Sequence, residues 1–331
     1  YLRIKEEQLQ ILENEREEIR EGVLGHKDLL KLYDPEKEVT LYTTKSVREE
    51  ETRLLRFAES IDSKRTDPIL STLASSRKTT ELEVLKEGDA LTEGQREAFE
   101  AVLKEGRGLH IIRGRAGAGK STVLSPIRQA YEEAGYHVIG LAPTHRATLH
   151  LSTLGFRSSM TAHKFVFAAQ NGRLNLPSQS LIVVDEAGMI GTEHFVELLN
   201  VARKAGSKVL LIGDEKQLES VQRGGMFEEL SNRFGSTFIH GIQRQKDGWQ
   251  KEVATCLAQG QWREAARILQ DEKKIQWSET KPDALASLLN DWAKDTRLSL
   301  KAGQGLGNRF ILATRNKDVD TLNMAARSLM K

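Results

Sequence analysis

Gly114-Arg115-Ala116-Gly117-Ala118-Gly119-Lys120-Ser121 decides the fold. The stretch fits the pattern Gly-x-x-x-x-Gly-Lys-Ser/Thr at every defined position. Leu109–Arg113 before it is an apolar run of strand length, and Thr122–Ala134 after it has helical periodicity. A strand feeding a glycine-rich turn at the head of a helix is the context in which this pattern holds phosphate. The glycines let successive backbone N–H groups close around phosphate oxygens, and the helix N-terminus adds partial positive charge. Lys120 is placed for the β- and γ-phosphates of ATP, and Ser121 for Mg2+. Arg115, Ala116, Ala118 and Thr122 complete the loop residues expected at the nucleotide. Pro126 cannot donate to the carbonyl of Thr122, which predicts a bend in the following helix.

Outward from the loop, short apolar runs alternate with amphipathic helices. Strands are expected at Leu109–Arg113, Gly135–Leu141, Leu181–Asp185, Lys208–Gly213 and Thr237–His240. Helices are expected at Thr122–Ala134, Thr161–Gln170, Thr192–Ala205 and Gly225–Arg233. Such alternation implies βαβ units around a parallel sheet, with the site beyond the carboxyl ends of the strands. The expected fold class is therefore α/β, with a first domain over 91–241.

Two more strand ends carry chemistry. Leu181-Ile182-Val183-Val184 delivers Asp185 and Glu186 at its tip, and Ala187-Gly188-Met189 follows. Asp185 suits a Mg2+ ion held through water, and Glu186 suits a general base for the attacking water. A strand-end acidic pair is otherwise a turn or a helix cap. Gly213-Asp214-Glu215-Lys216-Gln217-Leu218 follows the next strand and places Gln217 to sense the γ-phosphate.

The flanks differ in character. Residues 1–90 carry 16 basic and 21 acidic side chains, a net of −5; residues 91–331 carry 33 and 26, a net of +7. The basic part either meets phosphate or is only a solvated surface. The first ninety residues read as helices. Leu9, Leu12, Ile19 and Val23 recur at helical spacing. Thr44 and Ser46 then offer caps, with Glu49 completing a capping box after Ser46. Leu54, Leu55, Phe57, Ala58 and Ile61 give the second helix its buried face. The expectation is a helical bundle packed against the first domain, followed by a linker over Ser71–Thr80. After Gln243 helices are expected at Asp247–Ala258, Trp262–Gln270, Asp283–Lys294 and Val319–Leu329, with strands at Ile275–Ser278 and Phe310–Ala313. Two strands are too few for a doubly wound sheet, so 242–331 is expected to be an incomplete second unit.

No apolar run approaches the roughly 18 residues of a membrane span, and the charged start is no signal peptide. Cys256 is the only cysteine, which rules out an internal disulfide and fits a reducing cytoplasm. The chain starts without Met and both ends are charged and helical in pattern, so it is expected to be a piece of something longer.

In this order the three motifs resemble superfamily-1 helicases of the RecD type. They are closer still to the helicase part of conjugative relaxases of the TraA/TraI kind. Leu91–Arg96, Leu141–Ala147, Arg223–Phe227, Ile242–Trp249, Ile311–Asn323 and Tyr42–Leu55 carry the same resemblance. The resemblance implies RecA-like P-loop NTPase domains, with ATP and Mg2+ as cofactors and 5′-to-3′ translocation on single-stranded DNA. Gln95 resembles the glutamine that reads the adenine edge; otherwise it lies on a helix surface. Arg244 resembles an arginine that reaches the γ-phosphate from the second motor domain; otherwise it makes a surface salt bridge. Pro143, Thr144 and His145 after one strand, and Thr314 and Arg315 after another, would grip DNA phosphates. Thr161 and His163 resemble a third contact, although Thr161 also suits a helix cap. Phosphate contacts carry no sequence information, so binding is expected to be nonspecific. Phe165 and Phe167 would stack on bases or pack in a core.

Two late motor motifs and the relaxase section, with its tyrosine and histidine cluster, are not found before Lys331. The chain is therefore expected to bind nucleotide without unwinding DNA alone, with conjugation machinery as partner of the longer protein. The rival readings are a vestigial or ATP-gated single-stranded DNA-binding module and a DNA-repair helicase.

Overall fold

Six strands pair in parallel to form the central sheet: β3 (Leu109–Gly114), β4 (His137–Ala142), β5 (Ser158–Thr161), β6 (Ser180–Val184), β7 (Lys208–Gly213) and β8 (Thr237–Ile239). Their spatial order is β5-β4-β6-β7-β3-β8. The structure is a computed structural model and describes residues 13–35, 38–75, 91–115, 117–214, 225–240, 248–301 and 310–330. The chain divides into two compact units, Tyr1–Lys246 and Asp247–Lys331.

The central strands are apolar throughout because both sheet faces are covered. Alternate side chains go to opposite cores. Ile182, Val184, Val209 and Leu211 face one core; Leu181, Val183, Leu210 and Ile212 face the other. The first core is closed by α2 (Lys45–Asp62), α7 (Ala162–Gln170), α8 (Thr192–Ala205) and α9 (Met226–Phe234). The second is closed by α3 (Ile69–Ser75), α4 (Glu93–Lys104), α5 (Lys120–Glu133) and α6 (His145–Thr153). Pro126 lies inside α5, which continues through it.

The N-terminal part departs from the expected bundle. Leu54, Ala58 and Ile61 of α2 lie in the first core, while Ile69, Leu70 and Leu73 of α3 lie in the second. The segment between them crosses the amino-terminal edge of the sheet, opposite the glycine-rich loop. A Cβ at Gly106 would sit 2.1 Å from the Thr66 carbonyl oxygen, and one at Gly108 would sit 1.9 Å from that of Ile61. Arg107 between them fastens the crossing. Its Nε donates to Asp62 Oδ1 at 2.9 Å, and its Nη2 donates to the Phe234 carbonyl at 2.7 Å. Arg203 of α8 stands over the Phe57 ring of α2, 5.0 Å from its centroid. Burial holds nearby His110 neutral, with its pKa lowered to about 3.

Other local expectations need correction. Leu29–Asp34 (β1) and Val39–Thr44 (β2) form an antiparallel hairpin in a region read as helical. Both strands are mostly exposed, so they lack the apolar signal of the buried sheet. α1 spans Glu13–Leu24, and Leu9 and Leu12 lie outside the described residues. Thr44, not Ser46, caps α2, its hydroxyl accepting from Val47 N at 3.3 Å. Ser71–Ser75 of the expected linker belongs to α3, because Ile69, Leu70 and Leu73 bury its apolar side. The rest of that linker lies outside the described residues. β5 was not anticipated: Ser158-Ser159-Met160-Thr161 is polar because an edge strand pairs on one side only.

The second unit is helical among the described residues. α10 (Gly248–Ala258) packs on α11 (Trp262–Asp271) around Val253, Cys256 and Ala265. α12 (Lys281–Lys301) pairs with α13 (Asn316–Met330). The strands expected at Ile275–Ser278 and Phe310–Ala313 have no sheet partner there. An extended segment has no internal hydrogen bonds, so it is a strand only beside another. Trp277, Phe310 and Leu312 are all exposed.

Leu54 is fully buried in the core closed by α2, α8 and the sheet. Leu54→Ala is expected to destabilise the first unit by about 2–5 kcal/mol in denaturant unfolding. A loss below about 1 kcal/mol would show that α2 only lies on the surface.

Candidate nucleotide site

The carboxyl ends of the strands share one edge, so their following residues converge. Ala142 pairs with Thr161, Leu141 with Val184, and Val184 with Leu211. Arg113 pairs with Gly213, and Gly114 with Ile239. The glycine-rich loop therefore stands between the tips of β7 and β8. Gly117 and Gly119 hold φ of 81° and 78°, left-handed values that cost a side chain strain. Ala118 N donates to the Arg115 carbonyl at 3.1 Å, and Thr122 N donates to that of Gly119 at 3.1 Å. Ala116 lies outside the described residues.

Lys120 opens α5 and folds back over the loop. Its ammonium donates to the carbonyls of Gly114 and, at 3.1 Å, of Arg115. Burial lowers its pKa, while Asp214, Asp185 and Glu186, in that order, pull towards the charged form. Three carboxylates from two strand tips thus act electrostatically on one ammonium. Asp214 is a site residue the motif reading passed over. It is the first residue after β7, the place Asp185 occupies after β6. His150 of α6 also acts electrostatically on Asp185.

Asp185 is buried, and burial raises its pKa above the usual carboxylate value. Its N donates to the Leu141 carbonyl at 2.8 Å, and its Oδ1 accepts from Glu186 N at 2.9 Å. Glu186 stands at φ 53°, left-handed for a residue with a side chain, at a cost of roughly 1–3 kcal/mol. A short 3-10 turn, Ala187–Met189, follows. A Cβ at Gly188 would come 3.1 Å from the Asp214 carbonyl oxygen, a tight approach that glycine relieves. The carboxylates are turned by strand-end geometry and do not cap a helix.

Ser121, in the first turn of α5, and Asp185, at the tip of β6, offer only oxygen donors. That suits Mg2+, which takes one or two carboxylates and otherwise water and phosphate oxygens. Among the described residues no group of three or more His, Cys, Asp and Glu is placed to hold a metal by itself.

Gln95 does not lie on a helix surface. It is 4% exposed, in the first turn of α4. Its Oε1 accepts from Thr92 N at 3.0 Å. Its Nε2 donates to the carbonyls of Ala118 at 3.3 Å and Gly119 at 3.1 Å. The amide therefore braces the loop from below.

Thr144 and Thr161 cap α6 and α7 at the neighbouring tips of β4 and β5. Their hydroxyls accept from Ala147 N and Lys164 N, each at 3.2 Å. Pro143 is half-buried, His145 and His163 are exposed, and the His163 ring lies 5.2 Å from that of His194 at the start of α8. Thr314 and Arg315 are exposed just before α13 in the second unit. Phe165 is fully buried in the first core, whereas Phe167 is 52% exposed, because α7 turns that side outward. Gln217 and Arg244 lie outside the described residues.

A family model described as AAA domain matches residues 90–280. A probable conjugal transfer protein TraA of Sinorhizobium fredii is 32% identical over 241 residues, 72% of this chain and 21% of that protein. The multifunctional conjugation protein TraI of Escherichia coli K12 is 28% identical over 42% of this chain and 8% of its own length. The ATP-dependent RecD2 DNA helicase of Deinococcus radiodurans is 32% identical over 36% of this chain and 17% of its own. The likeness to the helicase region of TraA/TraI-type relaxases and to RecD-type helicases, drawn from the motifs, is matched by these relatives. The chain spans about a fifth of the length of the TraA protein.

Two substitutions test the site. Lys120→Ala is expected to abolish ATP binding in calorimetry; unchanged affinity would remove the loop from the site. Asp185→Asn keeps an acceptor for Glu186 N but removes a buried charge. A raised carboxylate pKa means stability is lost as pH rises from the unfolded value through the folded one. The variant is thus expected to melt above the unmodified chain at pH 7, with the gap closing as pH falls towards 4. Its Mg2+-dependent gain in nucleotide affinity should disappear. A lower melting temperature at pH 7 would contradict the desolvation argument.

Proposed function

The chain belongs to the AAA domain family, and from that premise we propose that it is the ATP-binding motor portion of a 5′-to-3′ DNA helicase of a conjugative relaxase. The observation that carries this reading is the electrostatic pull of Asp214, Asp185 and Glu186 on Lys120 beside a braced phosphate loop. A site meant only to hold phosphate gains nothing from three carboxylates, whose charge repels the ligand. A site that hydrolyses ATP needs one carboxylate for the metal and one for the water.

In this reading Gly114–Thr122 cradle the phosphates and Lys120 neutralises the β- and γ-oxygens. Ser121 and Asp185 would hold Mg2+, which would supply charge neutralisation for the phosphate chain. Glu186, held by its unusual backbone, takes a proton from the attacking water. Gln217 reports the γ-phosphate to the DNA-binding side, and Arg244 offsets charge as the phosphoryl group leaves. The domain plan is an N-terminal region over 1–90, a first motor domain over 91–241, and part of a second over 242–331.

Single-stranded DNA would run along the tips of β4 and β5. Thr144 and Thr161 each use their oxygen as a cap and keep their hydroxyl hydrogen for an outside acceptor. Pro143, His145 and His163 flank them, and in the second unit, taken by itself, Thr314 and Arg315 would contact DNA phosphates. The longer protein would act with conjugation machinery in the bacterial cytoplasm, and this chain alone would bind nucleotide without unwinding. The 5′-to-3′ direction rests on the likeness to RecD-type proteins.

DNA-stimulated ATP hydrolysis by a longer protein containing this chain tests the reading. Glu186→Gln is expected to keep nucleotide affinity while turnover falls about a hundredfold or more. No stimulated turnover in the unmodified protein would leave a DNA-binding module in place of the motor. Affinity of the chain for single-stranded DNA should fall steeply between 50 and 200 mM salt, about tenfold or more. A flat response would discard the phosphate track.

A further inference from the structure

We infer that Phe227 is the positioning residue that fixes Glu186 relative to the tip of β7: its ring is the wedge beneath both the turn after Glu186 and the end of that strand. This rests on the reading of Glu186 as general base and adds to it the side chain that holds the base in place.

Two glycines mark the contact. Gly213 ends β7, and Gly188 lies in the 3-10 turn Ala187–Met189 that follows Glu186. Neither has a positive φ, so backbone conformation does not call for glycine at either place. Close approach does. A Cβ at Gly213 would come 2.9 Å from both Cε1 and Cζ of Phe227, and 3.2 Å from Gly188 N. A Cβ at Gly188 would come 3.1 Å from the Asp214 carbonyl oxygen and 3.9 Å from Phe227 Cδ1. One ring thus lies beside both backbones, at the place where they lie beside each other.

The ring has little freedom to retreat. Phe227 is the second residue of α9 and is buried in the first core. Leu230, almost one turn on, is fully buried in the same core. The Ser231 hydroxyl donates to the Phe227 carbonyl at 2.7 Å. At the far end of α9 the Phe234 carbonyl accepts from Arg107 Nη2 at 2.7 Å. A helix held along its length in a close-packed interior passes displacement on to its neighbours.

The wedge holds a conformation that the chain would otherwise leave. Glu186 stands at φ 53°, and such a backbone persists only where its surroundings over-determine it. On its amino side, Asp185 N donates to the Leu141 carbonyl at 2.8 Å, which ties the residue to the sheet. On its carboxyl side, Met189 N donates to the Glu186 carbonyl at 3.0 Å, so the turn and the base residue move together. With a void in place of the ring, the turn can relax towards α9 and take Glu186 with it. A misplacement of about 1 Å at a reacting group costs up to roughly a hundredfold in rate. The phosphate loop is held separately, by Gln95 of α4. Loss of the wedge therefore shows in turnover and not in nucleotide affinity.

DNA-stimulated ATP hydrolysis by a longer protein containing this chain, with ATP affinity and thermal melting of each variant, tests the assignment. Phe227→Leu is expected to lower kcat about tenfold to a hundredfold, with KM for ATP and ATP affinity within about twofold. Gly213→Ala keeps the ring but sets a methyl group against it. It is expected to give the same split, and it decides the matter if Phe227→Leu fails to fold. Leu73→Ala is the control, since Leu73 is fully buried in the opposite core. It is expected to lower the melting temperature at least as much, with kcat within about twofold. The inference is overturned if either folded variant keeps turnover within about twofold or loses ATP affinity in step with turnover. It is also overturned if Leu73→Ala lowers kcat as much as Phe227→Leu, because general loosening of the fold would then be the cause. Glu186→Gln is run alongside. If it turns over ATP as the unmodified protein does, the general-base reading is what fails, whatever Phe227 does.

Discussion

β4, β6, β7 and β3 hydrogen-bond in one parallel sheet, and the register places their carboxyl ends at a common edge. The residue after each strand is therefore delivered to one edge, about 4.8 Å from the residue after the neighbouring strand. Lys120, Asp185 and Asp214 meet for that reason, although nearly a hundred positions separate the first from the last. A parallel sheet also has to be covered on both faces, since its strands are apolar throughout. The fold and the site have the same cause.

That requirement explains the N-terminal part of the first unit. The sheet needs a helix against Ile182, Val184, Val209 and Leu211, and α2 supplies part of that cover beside α8. The chain then passes to the other face and adds α3 there. The passage is possible because Gly106 and Gly108 carry no side chain where the Thr66 and Ile61 carbonyls approach. Arg107 ties the crossing to Asp62 and Phe234.

The site itself is costly. Asp185 is a carboxylate in a place where burial favours the neutral acid, Lys120 is an ammonium where burial favours the neutral amine, and Glu186 has a backbone conformation side chains avoid. None of these helps the fold. The dense apolar packing of the two cores offsets them, with Val184 and Leu211 fully buried directly beneath the site. Gln95 holds the loop through the Ala118 and Gly119 carbonyls.

The sequence by itself determined the buried strands, because four-residue apolar runs such as Leu181–Val184 have few other homes. It also determined the phosphate loop and the acidic pair, whose residue types are dictated by chemistry at fixed spacing. It did not reveal the hairpin Leu29–Thr44 or the edge strand Ser158–Thr161. Exposed and edge strands need not be apolar, so their pairing leaves little trace in composition. It overstated Ile275–Ser278 and Phe310–Ala313, which have strand-like residues but no sheet partner among the described residues. Only the tertiary structure decided that α2 and α3 cover opposite faces, that Asp214 joins the site, and that Gln95 grips the loop. Each of those facts depends on long-range contacts between segments far apart in the chain, and local residue pattern is blind to such distances.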